Sequence, residues 1–451
     1  MSVPIGRLAL VLWVFAGCLT AAPAATPQIL HATPRIQFAD TRLENGLRII
    51  ISEDHSAPVF SIVVNYNVGS RDERKGRTGF AHLFEHMMFK GSANVGPGEH
   101  PYLMFMYGGN MNGTTSKDRT VYYETLPANQ LDLALFLEAD RMRSLEITRE
   151  NLENQRNAVQ EERRLGVDNQ PYGRSFEVRD ELAYDNAAYE HSVIGSMADL
   201  DAATVEDVAA FFKTYYAPNN AVVAIVGDID TKTALERVRK YFGSILRQPP
   251  PPSVDMTEPP QTAERRTRIE DPLARLPRLD IAYKIPPGNA ADTNALGVLA
   301  SILSGGRSSR FNEAIVRQQQ LSPSVFAAAA EMRGPGLFTI TGVTSPGRNP
   351  ADLEAAIDAE IETIKKAPIA DWEIEKARTS ARSALVGSLG SSLSRAMSLS
   401  QNALFYDNPN RINTLADDIA NVTAADVQRV ARQYLVPAGR TVVLTAPKGG
   451  Q

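Results

Sequence analysis

Short runs of aliphatic and β-branched residues punctuate the chain at 47–51, 59–66, 221–226 and 441–445, and their length and composition predict β-strands. Apolar positions recur instead at helical spacing through 131–146, 149–166 and 371–404, which predicts long amphipathic helices. Strands and helices mixed in this way predict an α+β fold, with largely antiparallel sheets and helices packed on them.

The pattern also repeats. Thr204-Val-Glu-Asp-Val-Ala-Ala-Phe-Phe-Lys-Thr-Tyr-Tyr-Ala-Pro218 and Thr423-Ala-Ala-Asp-Val-Gln-Arg-Val-Ala-Arg-Gln-Tyr-Leu-Val-Pro437 match in Thr, Asp, Val, Tyr and Pro at an offset of 219 residues. Each copy reads as a helix capped by its threonine, stopped at its proline and followed by a strand. A match in cap, length, stop and strand points to duplication of a unit of about 200 residues. Between the copies, Pro249-Pro-Pro-Pro-Ser-Val-Asp-Met-Thr-Glu-Pro-Pro260 is too proline-rich to continue a helix or central strand and reads as a stiff connector. The expected organisation is therefore a leader over 1–24, a first domain over 36–248, a linker over 249–262 and a homologous second domain over 263–447.

Composition narrows the class. The 451 residues are 43% apolar and 22% charged, enough for large buried cores, and 47 basic against 52 acidic residues give a net charge of −5, no electrostatic reason for nucleic acid as a partner. At the N-terminus Arg7 precedes an apolar run to about Leu19 and then alanine-rich small residues, the layout of a secretory signal cleaved after Ala22 or Ala24. Export is expected, with no transmembrane anchor in the mature chain. The single cysteine, Cys18, lies inside this segment, so the mature chain needs no disulfide; Phe15-Ala16-Gly17-Cys18 also allows a second reading, a lipoprotein box lipidated at Cys18.

All six histidines precede residue 192. In Gly79-Phe-Ala-His82-Leu-Phe-Glu85-His86-Met-Met-Phe89 two of them stand four apart within a helical apolar pattern. That spacing puts both imidazoles on one helix face, where they can share a zinc ion, with Glu85 close by. The order H-x-x-E-H is the one used by inverzincin peptidases. A catalytic zinc takes a third protein ligand, and the run Glu161-Glu162-Arg163-Arg164 offers two adjacent carboxylates that helix geometry alone does not separate.

These motifs, with Leu43-Glu-Asn-Gly46-Leu47, Gly69-Ser-Arg-Asp-Glu73, Lys90-Gly91-Ser92, Asn157-Ala-Val-Gln-Glu-Glu-Arg-Arg164 and Pro218-Asn-Asn-Ala-Val-Val-Ala-Ile-Val-Gly227, resemble the pitrilysin, insulysin and mitochondrial processing peptidase superfamily, in its bacterial form of roughly 50 kDa. The resemblance implies two homologous halves forming half of a clam-shell chamber, zinc held by His82, His86 and Glu162, and Glu85 as general base. It implies that Asn112, Gly113 and Thr114 belong to an edge strand that pairs with an extended peptide, and that Arg317 contacts substrate. Two positions depart from the family pattern: Gln155 replaces an auxiliary Glu, and Ser324 stands where a Tyr follows the Arg by seven residues. A related subunit, in a homodimer or heterodimer, would then supply the Arg/Tyr pair. The implied activity is periplasmic hydrolysis of oligopeptides or unfolded polypeptides. Two rival readings remain: a non-catalytic scaffold that binds extended chains, and a purely structural metal site, for which His55, His100 and His191 are the other candidate imidazoles.

Overall fold

The structure is a computed structural model and describes residues 35–449; the expected leader and Cys18 lie outside them. Eleven strands form two sheets. The first contains β1 (Ala39–Arg42), β2 (Arg48–Glu53), β3 (Val59–Tyr66), β4 (Asn110–Thr115), β5 (Thr120–Pro127) and β6 (Ala221–Gly227), in the order β1-β2-β6-β3-β5-β4. The second contains β7 (Arg265–Asp271), β8 (Arg278–Ile285), β9 (Val325–Ala329), β10 (Gly336–Val343) and β11 (Arg440–Pro447), in the order β7-β11-β8-β10-β9. Apart from β1 the two orders correspond strand for strand. In each sheet one pair is parallel, β2 with β6 and β7 with β11, and the other pairs are antiparallel. Duplication is thus visible in the topology as well as in the repeated helix, whose two copies are capped alike: Asp207 N–H donates to Thr204 Oγ1 and Asp426 N–H to Thr423 Oγ1, both at 3.1 Å.

β6, Ala-Val-Val-Ala-Ile-Val-Gly, is buried along its whole length, as a central strand covered on both faces must be. On one face of the first sheet Leu47, Ile49, Phe60, Ile62 and Val64 pack under the helices that carry the site. These are α1 (Phe80–Met87), α2 (Glu99–Met106), α3 (Leu131–Ser144) and α4 (Arg149–Arg163). The opposite face, Ile50, Val63, Val121, Val222 and Val226, is covered by Ala396, Leu399 and Ala403 of the helix Ser392–Tyr406, which comes from the second half. The reverse exchange also occurs. α5 (Ser175–Ala183) and the turn after it, with Tyr184, Ala188 and Tyr189, pack on Ala282 and Leu337 of the second sheet. From Ile36 onward the described residues form one compact unit.

The sequence predicts one helix through 371–404, and the structure has two, Asp371–Ser388 and Ser392–Tyr406. Gly390 breaks the run and Ser391 caps the second helix, which redirects it onto the other half's sheet. Among the described residues no helix is long and apolar enough to cross a membrane.

Candidate metal and catalytic site

α1 starts at Gly79, whose φ of +88° a side chain would strain, and whose missing Cβ leaves room for the Ile194 carbonyl, 2.6 Å from where that atom would sit. The buried Glu73 carboxylate accepts from Gly79 N–H at 2.9 Å and Ala81 N–H at 2.7 Å, capping the first turn. His191 Nε2 lies 2.9 Å from the same carboxylate. Burial disfavours the charged His191 ring, but Glu73 outweighs it and raises its pKa. Leu83, Phe84 and Met87 anchor the helix inward, Phe84 against the rings of Phe211, Phe212 and Tyr216 at 5.7, 5.8 and 4.3 Å. The helical period then turns His82 and His86 outward together, with ring centroids 4.8 Å apart.

α4 faces them. Thr148 caps it by accepting from Asn151 N–H at 3.1 Å, and Leu152 and Val159 bury its apolar side. Gln155 and Glu162, two turns apart, look towards α1. Glu162 Oε2 lies 3.6 Å from His82 Nε2 and 3.3 Å from His86 Nε2, while Glu161 turns away to Arg164 at 3.0 Å. Two ligand atoms each about 2.0–2.1 Å from a tetrahedral zinc stand about 3.3 Å apart, so this donor set fits the ion. Burial, with His86 beside it, lowers His82 to a pKa of about 4, and burial also lowers His86, so both imidazoles are neutral and have lone pairs to offer at neutral pH. Gln155, at the position where the family pattern has an acid, is buried on α4 two turns before Glu162. Among the described residues no fourth His, Cys, Asp or Glu joins this group.

Glu85 lies beside the three without belonging to them. Burial raises its pKa to about 7, against the pull of Thr115, whose Oγ1 donates to Glu85 Oε2 at 2.6 Å, and of nearby Arg119. Thr115 ends β4, the free edge of the first sheet, and Gly113 on the same strand passes so close that a Cβ there would sit 2.9 Å from Glu85 Cγ. Asn112 is exposed and accepts from Gly113 N–H at 2.8 Å; Thr114 accepts from Arg119 at 2.7 Å. Glu85, the cluster of potential metal ligands and an open strand edge are therefore neighbours. Thr115, Arg119 and Glu73 escape sequence reasoning because each acts across a long loop or a hairpin, where spacing carries no signal.

Arg317 is not brought to this cluster. It lies in the helical turn Asn312–Gln318 of the second half, two-thirds exposed and paired with Glu313 at 2.8 Å. Ser324 bonds only locally, its N–H donating to Ser322 Oγ at 3.2 Å. His55 pairs with Asp228 at the surface, 2.6 Å away. His100 is buried with Glu124 and Glu138, a second group of potential ligands, but the guanidinium of Arg141 occupies the cationic role there by pairing with Glu138.

Residues 48–196 match the model of the insulinase family (peptidase family M16), and residues 202–381 match that of the peptidase M16 inactive domain. The chain is 30% identical over 413 residues to the zinc protease PqqE of Helicobacter pylori, covering 90% of this chain and 92% of that one. A solved protease from Helicobacter pylori superposes with a TM-score of 0.88 at 28% identity, over 91% of this chain and all of that one. The M16 inactive domain structure from Pseudomonas fluorescens has the same fold, with a TM-score of 0.81 at 19% identity over 92% and 99% of the two chains. His82, His86 and Glu162 fall inside the segment that matches the insulinase model, and the segment that matches the inactive domain, which begins within the first half and ends at residue 381, contains no histidine. The chain belongs to peptidase family M16, within the pitrilysin, insulysin and processing peptidase superfamily.

Proposed function

We propose that this chain is the zinc-bearing subunit of an exported, periplasmic metallo-endopeptidase that cleaves oligopeptides or unfolded polypeptides inside a closed chamber, with a second, related subunit or a second copy completing the site. The observation that carries the reading is the convergence of His82, His86 and Glu162 with Glu85 beside them. The similarity to the Helicobacter zinc protease supports the metal and the reaction class.

An extended peptide added to the free edge of β4 gains main-chain hydrogen bonds and lies alongside α1. Zinc, held by His82, His86 and Glu162, would polarise the scissile carbonyl and acidify the attacking water. Glu85, oriented by the Thr115 hydroxyl, accepts the proton of that water and passes it to the leaving amine. Oxyanion stabilisation has no phenol at position 324, and Arg317 is engaged with Glu313, which supports a second subunit as the source of that pair.

The test is zinc analysis together with cleavage of a quenched-fluorescent peptide mixture by the mature chain alone, by the chain co-purified with its partner, and by Glu85→Gln. About one zinc per chain, activity in the assembled form and loss of cleavage in Glu85→Gln with zinc retained are expected. Retained cleavage in that variant would falsify the base assignment, and a zinc-free, inactive complex would favour a peptide-binding scaffold.

A further inference from the structure

Away from the ligand cluster, a cavity of about 690 Å³ lies where the first half, the proline-rich segment and the loop before β10 meet. Four guanidinium groups line it, Arg42, Arg71, Arg247 and Arg333, against one lining carboxylate, Asp72. Arg71 is buried and matched: it donates to Asp118 at 2.8 Å and lies 3.5 Å from Asp72. Its second arm donates to Asn67 Oδ1 at 2.8 Å, and Arg333 donates to that same neutral oxygen. Two cations therefore share one amide acceptor.

Among the described residues, no carboxylate pairs with the guanidinium of Arg333 or of Arg247. Asp118 takes only the backbone N–H of Arg333, at 3.0 Å. Arg42 lies 3.6 Å from the exposed Asp407. Burial and the neighbouring charge of Arg71 lower the pKa of Arg333, as expected where positive charge gathers without a full complement of acids. Pro250, Pro251 and Pro252 form one wall, a stiff stretch that offers no N–H of its own and follows closely after Arg247. Bracing the junction accounts for Arg71 and for one arm of Arg333. The guanidinium face of Arg333 lies over the Phe405 ring at 5.8 Å, and among the described residues Arg247 and the other donors of Arg333 have no acceptor, in a space of the size that takes a small molecule rather than a single halide.

We propose that this cavity binds a small polyanion carrying phosphate or carboxylate groups, held by Arg333 and Arg247 with Arg42 as a third contact, so that one ligand bridges the two halves and the segment between them. Guanidinium forks suit such oxyanions because their paired N–H groups match two oxygens at once.

The mature, zinc-loaded chain is titrated calorimetrically with pyrophosphate and, separately, citrate, and its thermal unfolding is followed with each anion and with sodium chloride at matched ionic strength. Saturable binding and a rise in Tm beyond that of the matched salt are expected, and the stronger of the two anions identifies phosphate or carboxylate as the preferred group. Stripping of zinc by a chelating anion would shift Tm the other way. Arg247→Gln, at an exposed position where the fold is not at stake, should weaken binding by about tenfold and leave zinc content and peptide cleavage unchanged. Arg333→Gln should abolish binding; should that variant misfold, Arg42→Gln combined with Arg247→Gln takes its place. No binding beyond matched salt, or undiminished binding in Arg247→Gln and in the second variant, overturns the proposal.

Discussion

Glu161 and Glu162 are adjacent on α4 and have opposite surroundings: one reaches out to Arg164, the other faces two imidazoles. Glu162→Ala should therefore lower zinc occupancy after dialysis sharply while Glu161→Ala leaves it near wild type, and the reverse ranking in metal analysis would remove Glu162 from the site. Helix geometry offered both carboxylates, the resemblance chose Glu162, and in the packing of α4 on α1 Glu162 is the one that faces the imidazoles. Nothing in the sequence marks the buried group His100, Glu124, Glu138 and Arg141, because its members come from α2, β5 and α3. His100 Nε2 lies 2.5 Å from Glu124 Oε1, and burial raises both glutamates to a pKa of about 7 and lowers His100 to about 3. A carboxyl whose folded pKa is raised holds a proton that the unfolded chain has released, so stability falls as pH rises from the ordinary value of 4.5 towards 7. The depressed histidine works in the opposite sense up to 6.5, and two groups against one leave a net decline. Glu124→Gln removes one of the two, and its Tm should fall less steeply than that of the wild type between about pH 5 and 7. An unchanged slope would show that Glu124 does not hold that proton.

β4 illustrates what a strand can do that its residues singly cannot. The polar run Asn112-Gly-Thr-Thr115 is legible as a hairpin strand, and its place at the sheet edge is what opens it to a peptide. Gly113 leaves room where the strand and the Glu85 side chain need the same space. A methyl at that position would meet Glu85 Cγ at 2.9 Å and Oε1 at 3.1 Å, and Glu85 is the part that can move. Gly113→Ala should keep its fold and its zinc but lose cleavage by on the order of a hundredfold, the cost of displacing a catalytic group by about an ångström. Full activity with normal zinc would mean that the position of Glu85 is not what limits the reaction. A less legible element is the helix Ser392–Tyr406. Its apolar spacing continues that of the helix before it, so the run reads as one, and a single glycine in a periodic pattern is weak ground for a break. Only the docking of Leu399 and Ala403 on β3 and β6 shows why the chain turns there.

The repeat of Thr204 and Thr423 with their helices and strands revealed two homologous halves, and the strand orders agree with it. What the repeat does not reveal is that each half is finished by the other, since the apolar face of a helix records that it must be covered and not by which sheet. Cutting the chain at the proline-rich segment leaves 36–248 with Ile50, Val63, Val121, Val222 and Val226 bare, and leaves the second sheet without Tyr184 and Tyr189 over Ala282 and Leu337. A continuous apolar sheet face of that kind drives association rather than folding. Residues 36–248 expressed alone should therefore aggregate or fail to bind zinc, although His82, His86 and Glu162 are all present in the fragment. Expressed together with 249–449, they should recover a soluble complex that binds the metal. Within the intact chain, Leu399→Ala, which empties a fully buried position between the halves, should cost about 2–5 kcal/mol and lower a single unfolding transition reported alike by zinc release and by far-ultraviolet circular dichroism. A soluble, cooperatively folding, zinc-binding 36–248 fragment would show that the exchange of helices decorates two independent domains. Its absence would mean that the cluster of His82, His86 and Glu162 in the first half depends for its geometry on a helix nearly 240 residues further along the chain than Glu162.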